Sequence, residues 1–295
     1  MGGWFSKIVW CYLLFTVCLV IFMFVAGDHW WPATLVLFGP RWLILIPLLV
    51  LLPLAVWKNR RMLLPLTVTL IIIVVPIMGY NLPLNKPQPA SDHPLRIITC
   101  NLQNGKFDLP ALNALIENSR PDIVALQECP GNQKIKALEG WNHLCEGDLH
   151  IFSRLPAIKG DFRTAFVPMH SWPRTCFLYC TLITPAGNLT FATVHLPSLR
   201  YGLQNILDRT TLVSLQRKKL LIDETAYRRE MSEDIAGIVA SLPSPKIIAG
   251  DFNMPVESAI YRQVWSGYSN AFWALVGLNV PILAAWHWRC VSIIS

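Results

Sequence analysis

The stretch Lys246-Ile247-Ile248-Ala249-Gly250-Asp251-Phe252-Asn253 indicates both the fold class and the position of a site. Its apolar first half, with Pro245 before it and Pro255 after it, is typical of one short buried β-strand. The strand ends in a carboxylate and a carboxamide, and open α/β sheets bind ligands at the carboxyl ends of their strands. The alternative is an Asx turn that only bends the chain, since Asp and Asn commonly do this.

Four other segments repeat the pattern of an apolar strand that ends in a polar side chain. They are residues 96–100 before Asn101, 122–126 before Gln127-Glu128, 149–152 before Ser153-Arg154, and 189–194 before His195. We therefore expect five strand ends to meet in one place and to form a site.

In order along the chain, these segments resemble the motifs of the endonuclease/exonuclease/phosphatase superfamily. That superfamily includes DNase I-like nucleases, abasic-site endonucleases, neutral sphingomyelinases and inositol polyphosphate 5-phosphatases. The motifs are Cys100-Asn101-Leu102-Gln103, Leu126-Gln127-Glu128, Phe152-Ser153-Arg154-Leu155-Pro156, Val194-His195-Leu196 and Gly250-Asp251-Phe252-Asn253. The resemblance spans about residues 95–270, and five ordered motifs are far more specific than Gly-Asp-Phe-Asn alone.

Mixed strands and helices predict an α/β class. The elements expected are strands at 95–101, 122–128, 149–153, 176–184, 189–195 and 246–250, and helices at 108–119, 211–242 and 257–265. The resemblance implies a DNase I-like sandwich of two mixed sheets with flanking helices, and an active site at the top of the sandwich.

Phosphoester cleavage needs a hard cation, a positioned water and donors for the charge that develops on the phosphoryl oxygens. Glu128 supplies the oxygen ligand that Mg²⁺, or Mn²⁺ in its place, prefers. The resemblance implies that Asn101 assists this metal site. The sequence therefore predicts a metal-dependent phosphoester hydrolase: a phosphodiesterase, a phosphatase or a nuclease.

The resemblance also implies the catalytic roles. Asp251 would orient the attacking water, Asn253 would hold the phosphate, and His195 would donate to the phosphoryl oxygens. Standing alone, His195 would more often be a strand-end histidine bonded to backbone, and the neighbouring motifs favour catalysis. Arg154 is expected to bind substrate phosphate, with a simple turn at Ser-Arg-Leu-Pro as the alternative.

The sequence departs from the family pattern after residue 270. Family members close with a further Asp and a Ser-Asp-His, and neither follows here, so residues 95–270 are expected to be an incomplete domain and residues 271–295 an atypical tail. His287 lacks a neighbouring Asp and is a poor replacement. Impaired activity is therefore expected. The alternative function is a catalytically inactive membrane protein that uses the sandwich as a binding module.

Residues 1–80 are predicted to hold three transmembrane helices. Hydrophobic residues make up 53% of the chain and charged ones only 15%, and the apolar excess lies in residues 8–26, 42–57 and 62–79. Each run approaches the roughly 20 residues that cross a bilayer. Buried core helices are one alternative, and the first run is also compatible with a cleaved signal peptide.

Basic residues predict the orientation of these helices. Lys7 precedes the first run and Lys58, Arg60 and Arg61 separate the second from the third, so the positive-inside rule places both in the cytoplasm. Three crossings then put everything after residue 80 outside the cytoplasm. Residues 81–94 are rich in proline and predict a semi-rigid linker. The expected location is the cell or inner membrane, with an extracytoplasmic catalytic domain.

The net charge of +7 does not indicate a nucleic-acid binder. From residue 92 onward 19 basic residues face 17 acidic ones, so the footprint of a nucleic-acid interface is missing. A lipid or small phosphoester is favoured over DNA as the substrate, the lipid bilayer is the expected partner, and no protein partner is indicated. A basic cluster at 217–219 and 228–229 predicts a solvated helix face, with a substrate patch as the alternative.

Cysteines offer no clear structural signal. Of the eight, Cys129 and Cys145 are a possible disulfide pair, although connectivity is not readable from sequence. No Cys/His spacing in the chain is typical of a zinc site.

Overall fold

The computed structural model describes residues 3–80, 95–131, 133–166, 173–208, 217–270 and 293–294. The predicted linker at 81–94 and all of the predicted tail except residues 293–294, including His287, lie outside the described residues. The chain divides into two compact units. One draws on Met1–Leu82, Gly202–Ile222 and Met254–Trp265, and the other on Pro83–Tyr201, Asp223–Asn253 and Ser266–Ser295.

The helices and strands follow in chain order. The helices are α1 (Trp4–Ala26), α2 (Trp31–Phe38), α3 (Ile46–Lys58), α4 (Leu63–Ile72), α5 (Leu109–Ser119), α6 (Arg200–Leu207), α7 (Arg217–Ser241) and α8 (Ala259–Val264). The strands are β1 (Ile97–Asn101), β2 (Ile123–Gln127), β3 (Asn142–Glu146), β4 (Leu149–Ser153), β5 (Ala157–Phe166), β6 (Pro173–Thr184), β7 (Gly187–His195), β8 (Lys246–Asp251) and β9 (Ile293–Ile294).

The first unit contains the apolar helices. Three stretches are long and apolar enough to cross a membrane: Trp4–His29, Arg41–Lys58 and Arg60–Ile77. Large apolar side chains such as Leu14 and Leu49 are exposed on them, and helices that are apolar on all sides suit a lipid environment. The number of helices that are long and apolar enough to cross a membrane is therefore three, as the sequence predicts.

Polar contacts in the same unit gather at one end of these helices. The Asp28 carboxylate accepts hydrogen bonds from the Ser258 hydroxyl and the Ile260 backbone amide. Arg41 lies 3.2 Å from a Glu257 carboxylate oxygen and donates to the Ile77 carbonyl over 2.7 Å. Asp28 and Arg41 thus share one short segment as their partner, and both are largely buried there rather than exposed to solvent.

Two sheets form the second unit. Their strand orders are β1-β2-β4-β3 and β5-β6-β7-β8-β9. Two neighbouring pairs are parallel, β1 with β2 and β7 with β8, and the other pairs are antiparallel. This is the mixed two-sheet arrangement that the sequence predicts.

Alternation along β2 shows why the sheets pack as they do. Ile123 and Ala125 point into the core between the sheets, together with apolar residues of β4, β6 and β7. Val124 and Leu126 point to the other face and pack against α5, because successive strand residues face opposite sides. A strand buried on both faces reads as the continuous apolar run seen in the sequence.

Five of the described helices and strands were not predicted from the sequence: α2, β3, β5, α6 and β9. Strand β3 has the sequence Asn-His-Leu-Cys-Glu and is largely exposed at the end of its sheet, so it shows no apolar run. Strand β5 is mixed and charged, as edge strands commonly are. Helix α7 is described from Arg217, and residues 209–216, which include the predicted start at residue 211, lie outside the described residues.

The possible Cys129–Cys145 disulfide is not formed. Cys129 and Cys145 are both thiols in this structure. Cys129 is buried in the apolar core beneath α5, and this burial raises the pKa of its thiol to about 12.

Candidate active site

Strand direction brings four of the predicted side chains to one edge of the second unit. In the parallel pair β1–β2, Asn101 lies opposite Gln127, and Glu128 follows directly. In the parallel pair β7–β8, His195 lies opposite Asp251. Parallel neighbours end at the same edge of a sheet, and the side chains described below also meet across the two sheets.

The Asn101 amide joins the two carboxylates. Its Nδ2 donates to Glu128 Oε1 over 3.1 Å and to Asp251 Oδ2 over 3.0 Å. Its Oδ1 accepts from the Gln103 backbone amide at 2.9 Å, which fixes the orientation of the amide. One carboxylate belongs to each sheet, so this side chain bridges the two sheets at the edge where β1, β2, β7 and β8 end. This edge is called the mouth of the sandwich below.

His195 lies beside the same carboxylate. Its Nε2 is 3.5 Å from Glu128 Oε1, and the ring is 5% exposed. This distance is too long for a strong neutral hydrogen bond. An imidazole placed here can donate a proton or a hydrogen bond toward a group bound at the mouth.

Asp251 is held by both of its oxygens. Oδ1 accepts from the Asn253 backbone amide over 2.9 Å, and Oδ2 accepts from Asn101. The first bond is an Asx turn, and Asn101 makes the same turn with Gln103. The alternative of an Asx turn at Gly-Asp-Phe-Asn is therefore correct as local geometry. The same turn directs the Asp251 carboxylate into the cluster.

Asn253 has a structural partner. Its Nδ2 donates to the Leu196 carbonyl over 2.7 Å, which ties the end of β8 to the chain that leaves β7. The predicted role of Asn253 in holding phosphate remains a prediction, because in this structure the amide is engaged with backbone.

The backbone at the mouth is unusual. Among the described residues, five other than glycine have positive φ, and four of them lie here: Gln103, Asn104, Glu128 and Asn253. The fifth, Arg120, closes α5. Each such conformation costs on the order of 1–3 kcal/mol and tends to persist at functional sites. Asn104 also donates to Glu128 Oε2 over 3.0 Å, so strained backbone surrounds the proposed ligand.

Gly250 allows the two parallel strands to close together. An added Cβ would lie 2.1 Å from the Val194 carbonyl oxygen, and φ is +151°. No L side chain fits that space or favours that conformation. Glycine immediately before Asp251 is therefore required by the approach of β7 to β8.

Two buried side chains support the mouth from below. Gln127 Nε2 donates to Thr99 Oγ1 over 3.1 Å and to Thr193 Oγ1 over 2.9 Å, linking the two sheets directly under Glu128. The Arg228 guanidinium donates to the Asn253 carbonyl. Neither role was predicted from the sequence.

The prediction of a solvated basic face on α7 is wrong for Arg228. Its side chain is fully buried, whereas Lys218 and Lys219 are exposed. The signal was present in the spacing: Thr225, Arg228, Ser232, Ile235 and Val239 follow steps of three and four and are all buried. Those steps describe one helix face, and Arg228 belongs to it.

The structure does not bring Arg154 to the site. Strand β4 is antiparallel to β2, with Ser153 opposite Ile123, and the Arg154 amide donates to the Asp122 carbonyl. Arg154 therefore follows the strand at the edge where β2 begins, opposite to Glu128. Its guanidinium lies over the Trp141 ring at 4.7 Å from the centroid. The expectation that five strand ends meet is corrected to four.

The donor set fits a hard divalent cation. Glu128 Oε1 and Asp251 Oδ2 approach one another closely enough to share a single amide nitrogen. The two carboxylates are oxygen donors of the kind that Mg²⁺ and Mn²⁺ prefer, whereas the Asn101 Nδ2 between them is a hydrogen-bond donor. Glu128 would hold such an ion, and Asn101 would assist through Oδ1 after its amide rotates.

Comparison with known proteins identifies the family. The model of the Endonuclease/Exonuclease/phosphatase family matches residues 98–292, beyond the range read from the motifs. A search of curated protein sequences found no significant match. Similar solved structures include humanized D. rerio TDP2, with 19% identity over 61% of this chain and 72% of that chain at a TM-score of 0.43.

Two further structures complete the comparison. The human Nocturnin catalytic domain has 14% identity over 68% of this chain and 82% of that chain, at a TM-score of 0.43. A mannosyl-6-phosphatase of Bacteroides thetaiotaomicron has 18% identity over 61% and 73%, at a TM-score of 0.40. The superfamily comprises phosphoester hydrolases that generally depend on a divalent metal. Since the family model covers well over half of the sequence and all of the converging site residues, the chain belongs to the endonuclease/exonuclease/phosphatase family.

Proposed function

We propose that this chain is a membrane-anchored phosphoester hydrolase that uses Mg²⁺, or Mn²⁺ in its place, and acts outside the cytoplasm. The observation that supports it most is the cluster of Asn101, Glu128, His195 and Asp251 at the ends of two parallel strand pairs. These four side chains come from both sheets and from distant parts of the sequence, and they supply the groups that phosphoester hydrolysis requires.

Each residue has a role that its contacts support. Glu128 would hold the cation and Asn101 would assist through Oδ1, and a bound cation would neutralise phosphate charge. Asp251 is held by Asn253 and Asn101, so its carboxylate is oriented to position a water and accept its proton. His195 is fixed at the mouth and donates to the phosphoryl oxygens where charge develops.

The substrate that we propose is a lipid or another small phosphoester. The part of the chain from residue 92 onward is nearly neutral, with 19 basic and 17 acidic residues. Binding to DNA depends strongly on phosphate neutralisation by cationic side chains. Three apolar stretches also keep the chain at a bilayer.

The extracytoplasmic orientation is supported by the polar end of the first unit. At this end Asp28 contacts residues 258 and 260, and Arg41 contacts Glu257 and the Ile77 carbonyl. The basic residues Lys58 and Arg61 lie at the opposite ends of α3 and α4. Residues 257–260 follow the site strand β8 closely. The positive-inside rule places the Lys58 to Arg61 connection in the cytoplasm, and the other end outside.

A metal titration of the purified full-length chain in detergent tests the proposal. Chromogenic phosphodiester and phosphomonoester substrates are assayed while Mg²⁺ or Mn²⁺ is added to chelator-treated protein. We expect saturable, metal-dependent turnover that Asp251→Asn lowers by about 10²- to 10⁴-fold and that Glu128→Gln lowers through loss of metal affinity. Turnover within threefold of wild type in either variant would refute the assignment.

A second candidate is a catalytically inactive sandwich that binds its ligand. The observation that favours it is the closed hydrogen-bond network, in which the Asn101 amide already satisfies both carboxylates. In the same titration this candidate predicts neither turnover nor metal binding by the wild-type chain. The two functions are therefore separated by one experiment.

A further inference from the structure

A second cluster of ligating side chains lies on the β3–β4 hairpin, apart from the oxygen donors of the active site. His143, Cys145 and His150 each offer one nitrogen or sulfur atom, and these three atoms all lie within 4.8 Å of one another. Cys145 is directly opposite His150 in the β3–β4 register. His143 precedes Cys145 by two residues and so shares its face of the strand.

We propose that His143, Cys145 and His150 bind a Zn²⁺ ion. Thiolate and imidazole ligands favour Zn²⁺ over the hard cations that carboxylates prefer. With Zn–N near 2.1 Å and Zn–S near 2.3 Å, tetrahedral ligand atoms lie roughly 3.3–3.6 Å apart. The His143 Nε2 to His150 Nδ1 distance of 3.0 Å is close to that edge. Three protein ligands leave one position open.

The cluster is held in place before any ion binds. The His143 ring stacks on Phe152 with centroids 4.1 Å apart and planes 2° apart. His150 is 2% exposed. His143 and Cys145 are both exposed, which gives an ion a route of entry. A rigid arrangement of this kind loses little side-chain freedom when it binds a metal.

The nitrogen atoms of His150 suit a ligand. Nδ1 faces His143, and Nε2 is buried without a hydrogen bond of good geometry among the described residues. Burial, and then the neighbouring His143, lower the pKa of the ring to about 4, although the nearby Cys129 backbone raises this pKa in part. A neutral ring with Nε2–H toward backbone leaves the Nδ1 lone pair for a metal, the usual support of a ligating histidine.

An ion bound here would stabilise the chain that follows Glu128 at the active site. The Cys129 amide donates to the Asp148 carbonyl over 3.1 Å. Asp148 lies in the turn between β3 and β4, and Cys129 directly follows Glu128. An ion bound to both β3 and β4 would therefore stabilise this hairpin. The hairpin in turn accepts the hydrogen bond from Cys129, which follows the proposed magnesium ligand Glu128. The proposal concerns a separate site and does not rest on the proposed hydrolytic function.

The alternative to a metal site is a simple hydrogen bond between two neutral imidazoles, with Cys145 as an ordinary surface thiol. Cobalt spectroscopy separates these outcomes, because a thiolate ligand gives Co²⁺ a sulfur-to-metal charge-transfer band. The full-length chain in detergent is reduced, stripped with chelator and titrated with Co²⁺. We expect a thiolate band that saturates at one ion per chain and disappears when Zn²⁺ is added.

Three variants make the test specific. Cys145→Ser is at an exposed position, keeps the fold and should lose the band. His143→Gln should weaken Co²⁺ binding at least about a hundredfold, since even supporting residues of metal sites are worth 10- to 100-fold. Cys18→Ser, an exposed thiol on α1, should leave the band unchanged. Absence of the band in the wild-type chain, or its persistence in Cys145→Ser, would overturn the proposal.

Discussion

Strands β4 and β8 both end in a polar motif, yet only β8 ends at the active-site edge. β8 is parallel to β7, so Asp251 lies opposite His195. β4 is antiparallel to β2, so Arg154 leaves the sheet where β2 begins and lies over Trp141. The comparison teaches that a polar residue after an apolar strand indicates a site only when the strand direction is also known.

The largest effect on catalysis is expected at the β8 end. Asp251→Asn keeps the shape of the side chain and removes the negative charge that accepts a proton from water. General acid/base help is worth about 10²- to 10⁴-fold in rate, so turnover should fall by that range at saturating metal. The measurement is the steady-state rate with a chromogenic phosphoester. A rate within threefold of wild type would show that Asp251 is only a turn residue.

The next effect concerns the contact that brings β7 and β8 together. Gly250→Ala places a methyl group 2.1 Å from the Val194 carbonyl oxygen. Overpacking and backbone strain together should cost about 3 kcal/mol or more, seen as a lower midpoint in thermal unfolding followed by circular dichroism. Gly131→Ala is the matched control, since no atom lies within 4 Å of its added Cβ. Equal midpoints for the two variants would contradict this account of Gly250.

A smaller effect is expected beneath the same strand end. Arg228→Met removes the donor to the Asn253 carbonyl and leaves a polar group without that bond. The cost should be about 1–3 kcal/mol of unfolding free energy, measured by denaturant titration. Lys219→Met on the same helix is exposed and should change stability by less than about 0.5 kcal/mol. If Lys219→Met costs as much as Arg228→Met, the buried role of Arg228 is wrong.

The smallest effect is expected at the β4 end. Arg154→Gln removes the cation that lies over Trp141 on the surface. An exposed cation–π contact contributes about 0.5–1 kcal/mol, and the side chain is remote from the converging strand ends. Turnover should therefore stay within about twofold of wild type. A fall of tenfold or more, with unchanged unfolding, would restore Arg154 to substrate binding.

The sequence was informative where an element is buried and local. Apolar runs predicted β1, β2, β4, β7 and β8, and the strand-end motifs predicted Asn101, Glu128, His195 and Asp251. It was silent on β3 and β5, because exposed edge strands lack an apolar pattern. Arg154 was misplaced because residue order does not reveal strand direction.

Two buried or clustered groups were missed for related reasons. Arg228 was grouped with neighbouring charges instead of being placed by its three- and four-residue spacing on a helix face. The His143, Cys145 and His150 cluster has no linear metal motif, because its geometry comes from the register of a hairpin. In both cases the deciding fact is which face a side chain occupies.

The most direct test of the central claim is calorimetric titration of Mg²⁺ into the full-length chain and two variants, Glu128→Gln and Arg154→Gln. Glu128→Gln removes the charged oxygen ligand and keeps the side-chain shape, whereas Arg154→Gln changes the strand end that lies at the other edge. We predict saturable Mg²⁺ binding by the wild-type chain and by Arg154→Gln, and loss of most of that affinity in Glu128→Gln. Unaltered Mg²⁺ binding by Glu128→Gln would contradict the account.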